Sequence, residues 1–119
     1  MSTLVVTPGT PRYSYWATVV RWVDGDTVWL TIDLGFRMTA TTDFRCYGID
    51  TPERGQPGYV EATARANVLA PVGSTMLVTT YKAPDKYGRW LVQIFADGVD
   101  VGQTLVAEGL AKPYFGGTK

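Results

Sequence analysis

Runs of β-branched and aromatic residues, separated by short polar turns, dominate the first half of the chain. Such runs are typical of β-strands, because branched and aromatic side chains fit a pleated, half-buried surface. The Asp-Gly-Asp turn at residues 24–26 is a strong hairpin signal, and residues 33–36 supply a second turn. Short turns between consecutive strands give an antiparallel meander. The three predicted strands span residues 15–23, 27–32 and 37–49.

The second half changes to an alanine-rich segment at residues 59–70, with Val60, Ala64 and Val68 at helical spacing. It is followed by two further predicted strands, a polar loop between them and a short C-terminal helix. These elements span residues 75–81, 82–89, 90–96 and 101–108.

The predicted order, three strands, a helix, two strands and a helix, matches the five-stranded Greek-key barrel called the OB-fold. With 119 residues the chain fits one domain. We assign residues 1–13 to a flexible N-terminal arm, 14–115 to the barrel domain and 116–119 to a tail.

Composition limits the chemistry. Histidine is absent, which excludes histidine-based catalysis and histidine-ligated metals, and the single cysteine, Cys46, is expected to be a buried structural thiol. The formal net charge is +0, so binding of a polyanion would require local clusters or a bound cation. No apolar run reaches the length of a membrane span, and the N-terminus resembles no secretory signal. We therefore expect a cytoplasmic protein without membrane contact, acting as a monomer, with a phage or mobile element as a further hypothesis for its origin.

The densest group of candidate functional residues follows the third predicted strand. Arg45 lies among apolar neighbours, where burying an unpaired guanidinium would be costly. Asp50 and Glu53 flank a Thr-Pro pair, and the proline holds Thr51 extended so that its carbonyl has a defined direction. Two carboxylates and one carbonyl form a half-shell suited to a hard cation.

A helix start is the structural alternative for residues 50–53, because Asp-Thr-Pro-Glu has the features of a capping box. The following Arg-Gly-Gln-Pro-Gly cannot continue a helix, so Glu53 needs another role. Asp26 starts the second strand, where aspartate is disfavoured. In a meander the start of strand two and the end of strand three lie together, so Asp26 can approach Asp50.

A second basic group lies in the loop before the last strand. Lys82, Lys86 and Arg89 surround Tyr87, and Arg89 directly precedes Trp90. A solvated loop is the structural alternative. Arginine binds phosphate in a bidentate manner, and tyrosine stacks on bases or donates to phosphate. Arginines facing a carboxylate-held metal are typical of a phosphodiester-cleaving site.

Taken together, these segments resemble the staphylococcal nuclease (thermonuclease) domain family, in order and spacing, over residues 15–115. The resemblance implies an OB-barrel and a calcium-dependent phosphodiesterase acting on DNA and RNA. The matching segments are residues 23–28, 44–45 with 49–53, 85–89 and 108–112.

Carried over by position, the resemblance makes Asp26 and Asp50 the calcium carboxylates, and Thr51 contributes its backbone carbonyl. Glu53 matches the residue that orients or deprotonates the attacking water. Oxygen ligands also admit Mg²⁺ or Mn²⁺ as alternatives to Ca²⁺. The remaining matches are Arg45 and Arg89 for the phosphate clamp, and Lys86 and Tyr87 for a terminal phosphate.

The chain departs from the family in its neutral charge, in Trp90 after the second arginine, and in lacking the long final helix. Tyr114 is near the position of a family tyrosine but out of register. Two alternatives to an enzyme are a non-catalytic module binding single-stranded nucleic acid and a protein-interaction barrel. Both would use the tryptophans, for which core packing is the structural alternative. The tryptophans are Trp16, Trp22, Trp29 and Trp90.

Overall fold

The structure is a computed structural model that describes residues 12–81 and 89–114. Within these residues the chain forms eight strands and two helices. The strands are β1 Arg12–Asp24, β2 Thr27–Gly35, β3 Met38–Cys46, β4 Ile49–Asp50, β5 Thr75–Tyr81, β6 Trp90–Ala96, β7 Val99–Asp100 and β8 Lys112–Pro113. The helices are α1 Tyr59–Leu69 and α2 Val101–Ala107.

Five of the strands close into a barrel. The sheet order β3-β2-β1-β5-β6 is antiparallel throughout, and a parallel pairing of β3 with β6 joins the two ends. This confirms the predicted five-stranded OB-type barrel with a helix between the third and fourth barrel strands. The short strands β4 and β8 form a separate antiparallel pair beside the barrel.

The third predicted strand is shorter in the structure than in the prediction. β3 ends at Cys46, and β4 begins only at Ile49, because Gly48 adopts a φ of 83° that a regular strand does not allow. Asp50 then pairs with Lys112 of β8 instead of continuing the barrel. The interruption turns the Asp50 segment out of the sheet and across the end of the barrel.

The helix α1 packs through its alanines, not through its valines. Ala62 and Ala66 are fully buried, whereas Val60 and Val68 are 70% and 64% exposed, so the residues whose spacing indicated the helix face solvent. Small side chains let the helix lie close to the barrel, and the Trp22 indole N–H donates to the carbonyl of Ala70 just past the helix (N···O 2.9 Å). Close approach therefore outweighed the larger apolar area of the valines.

The remaining differences concern the ends of elements. β1 begins at Arg12, three residues before the predicted strand, and α2 ends one residue earlier than predicted. The rest of the predicted arm, residues 1–11, and the predicted tail at 116–119 lie outside the described residues. So does the loop at residues 82–88, which contains Lys82, Lys86 and Tyr87.

Candidate functional site

Strand pairing assembles the site from three parts of the chain. Thr27 lies opposite Arg45 in the β2–β3 ladder, and the Cys46 N–H donates to the carbonyl of Asp26 (N···O 2.8 Å). In the parallel β3–β6 ladder, Phe44 lies opposite Trp90, so Arg89 enters at the same level. The backbone thus places Asp26, Arg45 and Arg89 at one end of the barrel.

Arg45 forms the centre of this group, and it is only 8% exposed. Its guanidinium makes an ion pair with Asp26 and lies 3.5 Å, Nη2 to Oδ1, from Asp50. Nη2 also donates to the carbonyl of Ile49 at 3.0 Å. Burial opposes the charged form, but Asp26 and then Asp50 outweigh it and raise the pKa of Arg45. The predicted approach of Asp26 to Asp50 is realised through the guanidinium that both contact.

Asp26 accepts hydrogen bonds on both carboxylate oxygens and is 3% exposed. The Thr51 N–H donates to Oδ2 (2.9 Å), and the Thr27 hydroxyl donates to Oδ1 (3.2 Å). Burial acts to raise the pKa of Asp26, but hydrogen bonding with Asp24 and the charge of Arg45 lower it. Gly25 permits this arrangement, since a Cβ there would lie 2.9 Å from Cγ2 of Thr51. Asp26 is therefore held ionised in a closely packed turn.

Arg89 joins the same network through Thr27. Its Nη1 donates to the Thr27 hydroxyl oxygen at 3.0 Å, and that hydroxyl donates in turn to Asp26. The two arginines predicted to act together are therefore linked through Thr27 and Asp26. Thr27 itself was not among the predicted site residues.

Asp24 adds a third carboxyl group to this end of the barrel, and sequence reasoning treated it only as a turn residue. Its Oδ1 accepts from the Asp26 N–H at 3.2 Å. Burial, and then the adjacent Asp26, raise the pKa of Asp24 from 3.8 to about 7. The Asp-Gly-Asp spacing did indicate a role for Asp24 beside Asp26, because two aspartates separated by one glycine must lie close together.

Glu53 lies apart from this network. Its side chain is exposed on the loop between β4 and α1, and within the residues that the structure describes no hydrogen bond or ion pair joins its carboxylate to Arg45. The loop is ordered around Gln56, whose Oε1 accepts from the Glu53 N–H at 2.8 Å. The Gln56 N–H donates back to the Glu53 carbonyl at 2.9 Å. Gln56 was also missed, because nothing in its sequence context identifies a side chain that bonds to the backbone.

Tyr114 packs against the site from the β8 side. The Arg45 guanidinium carbon lies 5.6 Å from the centre of the Tyr114 ring. The out-of-register tyrosine therefore still reaches the predicted clamp arginine. Lys86 and Tyr87, predicted to bind a terminal phosphate, lie outside the described residues.

The oxygen atoms of Asp26, Asp50 and Thr51 are of the type that binds hard cations, but the described residues form no complete metal site. Over residues 12–81 and 89–114, no three acidic, cysteine or histidine side chains are grouped as a metal site, so protein carboxylates alone would not complete a coordination shell. Asp26 and Asp50 offer oxygen ligands, which hard cations prefer. The Thr51 hydroxyl is buried with no hydrogen-bond partner among these residues. Beside them lies a cleft of about 360 Å³, lined by Asp50, Pro52, Gln56 and Lys112 among others, with room for water and substrate oxygens.

Comparison with known proteins identifies the family. Residues 43–119 match the model of the staphylococcal nuclease homologue family. The chain belongs to this family. The match confirms the resemblance inferred from the sequence segments and includes Arg45, Asp50, Glu53 and Arg89, whereas Asp26 precedes it.

Curated relatives of this staphylococcal nuclease homologue include the SPbeta prophage-derived endonuclease YokF of Bacillus subtilis (strain 168), 34% identical over 102 residues. An uncharacterized endonuclease of Escherichia coli O157:H7 is 35% identical over 97 residues, and endonuclease YncB of Bacillus subtilis (strain 168) is 33% identical over 102. The alignments cover 80%, 81% and 80% of this chain. They cover 33%, 59% and 46% of the relatives, which are longer.

Neither helix of the described chain is long and apolar enough to cross a membrane.

Proposed function

We propose that this domain is a nuclease that hydrolyses phosphodiester bonds in DNA or RNA, with Ca²⁺ as its preferred metal ion. One observation carries the proposal. The network that links Arg89, Thr27, Asp26, Arg45 and Asp50, of which Thr27, Asp26 and Arg45 are buried, concentrates charged groups at one end of a barrel whose chain is neutral as a whole. Burying so many charges is costly, and sites arranged in this way are frequently catalytic.

Asp26, Asp50 and the Thr51 carbonyl would hold the cation. When bound, the ion would neutralise charge on the phosphate oxygens and lower the pKa of a nearby water. Mg²⁺ and Mn²⁺ share the preference for oxygen ligands and are the alternative ions.

The two arginines act on the phosphate. In our proposal Arg45, held by Asp26 and Ile49, and Arg89, held by Thr27, donate to the phosphate oxygens and stabilise the charge that develops there. Such fixed donors need little reorganisation, because their partners already determine their orientation. Lys86 and Tyr87 would bind a terminal phosphate, a role that rests on sequence alone.

Glu53 orients or deprotonates the attacking water. Its exposed carboxylate lies on the loop beside the cleft, and that loop is fixed by the reciprocal bonds between Glu53 and Gln56. An exposed carboxylate on an ordered loop is free to turn towards a bound substrate. The names of the relatives, all endonucleases, favour cleavage within a strand.

The tryptophans give limited support to the non-catalytic binding module. Trp22 is buried and hydrogen-bonded, and Trp29 and Trp90 are half-buried. Trp16 is 59% exposed and lies on β1, away from the charged network. A stacking surface that uses all four tryptophans is therefore inconsistent with the fold.

The test is cleavage of single-stranded and plasmid DNA with Ca²⁺ or with a calcium chelator. Glu53→Gln and Arg89→Ala are compared with two exposed controls of the same type, Glu61→Gln and Arg21→Ala. We expect Ca²⁺-dependent cutting that both site variants reduce about 100-fold or more, while the controls stay close to wild type.

Two results would contradict the proposal. Intact DNA in every reaction, with a retained gel shift, would favour the binding module. Cutting by Glu53→Gln at the wild-type rate would remove Glu53 from the mechanism.

A further inference from the structure

Arg45 lies between the two carboxylates that the proposed function assigns to a cation. Its Nη1 pairs with Oδ2 of Asp26, and its Nη2 lies 3.5 Å from Oδ1 of Asp50. Both nitrogens belong to one planar guanidinium, so a single side chain contacts both carboxylates at once. In the described part of the chain, residues 12–81 and 89–114, no three acidic, cysteine or histidine side chains form a metal site. The position between the carboxylates is held by a positive charge that the chain itself provides.

The hydrogen bonds of Asp26 leave its Oδ2 no place for both a metal ion and Arg45. A carboxylate oxygen has two lone pairs, and on Oδ2 they accept from the Thr51 N–H (2.9 Å) and from Nη1 of Arg45. Thr51 is 4% exposed, and its N–H is part of the backbone that follows β4. The guanidinium, at the end of a side chain, is the partner that can leave. A metal ion that ligates Oδ2 therefore has to replace Arg45 there.

Burial makes the two occupants mutually exclusive in charge as well as in space. Asp26 and Arg45 are 3% and 8% exposed, so water cannot hydrate either charge in place. A buried carboxylate requires a positive partner, and removal of that partner is strongly unfavourable unless another cation replaces it. The side chain of Asp50 is 27% exposed and lines the cleft of about 360 Å³, which gives an ion a route from solvent to the pair.

Two further contacts retain the guanidinium near the site when the carboxylates release it. Nη2 donates to the carbonyl of Ile49 at 3.0 Å, and the guanidinium carbon lies 5.6 Å from the centre of the Tyr114 ring. Neither contact uses a carboxylate, so neither depends on the occupant of the cation site. Replacement by a metal ion thus requires a small movement of Arg45 and not its expulsion from the site.

We propose that Arg45 is an internal counter-ion of the cation site: it holds Asp26 and Asp50 until a divalent cation replaces it, and replacement frees its N–H groups for a phosphate. The inference rests on the cation site of the proposed function. Without the ion, these three side chains carry one net negative charge, which repels a phosphodiester. With a divalent ion they carry one net positive charge, which attracts it. Cation binding therefore determines when Arg45 can act on a phosphate.

Isothermal titration of the whole chain with Ca²⁺, without nucleic acid and at constant ionic strength, tests the proposal. Arg45→Met should bind Ca²⁺ at least about tenfold more tightly than wild type, because Asp26 is left without a counter-charge. Arg45→Lys should bind with intermediate affinity, since lysine keeps the charge but lacks the fork that reaches both carboxylates. Arg21→Met, with the same change in net charge as Arg45→Met, should stay within about twofold of wild type. Asp26→Asn/Arg45→Met should bind no more tightly than wild type.

Thermal melting provides an independent readout, because an ion that binds the folded state raises the melting temperature. Ca²⁺ should raise the melting temperature of Arg45→Met by more than that of wild type or Arg21→Met. If Arg45→Met does not fold, the charge-conserving Arg45→Lys carries the test.

Equal Ca²⁺ affinity in wild type and both Arg45 variants would overturn the proposal. So would wild-type affinity in Arg45→Lys beside tighter binding by Arg45→Met, since the charge alone, and not the contacts, would explain the gain. Absence of Ca²⁺ binding in wild type and every variant would contradict the cation site as well. DNA that stays intact while the affinities differ as expected would support the proposal and contradict only the nuclease activity.

Discussion

Replacing Arg45 by methionine tests whether the network is as tightly desolvated as its geometry indicates. Methionine approximates the length of the arginine stem but removes the guanidinium. Asp26, 3% exposed, would then lose its counter-charge, and the Ile49 carbonyl would lose its donor. Asp50 is less affected, because its side chain is 27% exposed and can be hydrated.

The size of the effect follows from burial. Removing one partner of a buried ion pair costs about 3–5 kcal/mol, because the remaining charge is left uncompensated. Hydration of Asp50 places the expected loss in free energy of unfolding near the lower limit, about 3 kcal/mol. That is a large fraction of the roughly 5–15 kcal/mol that stabilises a domain.

Urea unfolding followed by tryptophan fluorescence measures the loss, since Trp22 is buried in the core. The matched control is Arg21→Met, an exposed arginine whose guanidinium carbon lies 5.7 Å from the Trp29 ring centre. It should cost no more than about 1 kcal/mol. The double variant Asp26→Asn/Arg45→Met should cost less than the sum of its single changes, because no orphan charge remains. An Arg45→Met variant as stable as Arg21→Met would refute the reasoning.

Three further predictions concern the loop, the thiol and a surface ion pair. Gln56→Leu removes the acceptor for the Glu53 N–H. We therefore expect kcat for DNA cleavage to fall about 10–100-fold with little change in KM. Gln56→Glu retains the acceptor and should cut DNA better than Gln56→Leu. Burial raises the pKa of the Cys46 thiol. A thiol reagent should therefore label the native protein at least about 1,000-fold more slowly than the protein in urea. Fast labelling of the native protein would contradict the burial of Cys46. Hydrogen bonding to Arg65 lowers the pKa of Glu108, so this pair stabilises the fold above the unfolded carboxyl pKa and ceases to do so as the pH falls through the lowered value. The small stability difference between wild type and Glu108→Gln, measured by urea unfolding, should therefore be present at about pH 7 and vanish once the pH lies below the lowered pKa of Glu108. A difference independent of pH would exclude the pair as its source.

Local chemistry alone determined the elements of this chain. Asp-Gly and Gly turns separate runs of β-branched and aromatic residues, and these signals act over a few residues. The five barrel strands, both helices and the barrel class could therefore be predicted, whereas the two-residue strands β4, β7 and β8 could not. The approach of Asp26 to Asp50 was also predictable, because a meander places the start of one strand beside the end of the next. Gly48 was the local signal that the strand interpretation missed, and its positive φ separates β3 from β4.

Tertiary structure decided the features that depend on contacts between residues far apart in the sequence. The buried face of α1 could not be read from its spacing, because close contact with the barrel favours Ala62 and Ala66 over the larger Val60 and Val68. The links from Thr27 to Arg89 and from Gln56 to Glu53 join side chains to partners that no periodic pattern reveals. Periodicity records which residues prefer burial, whereas the closure of the barrel determines which of them meet.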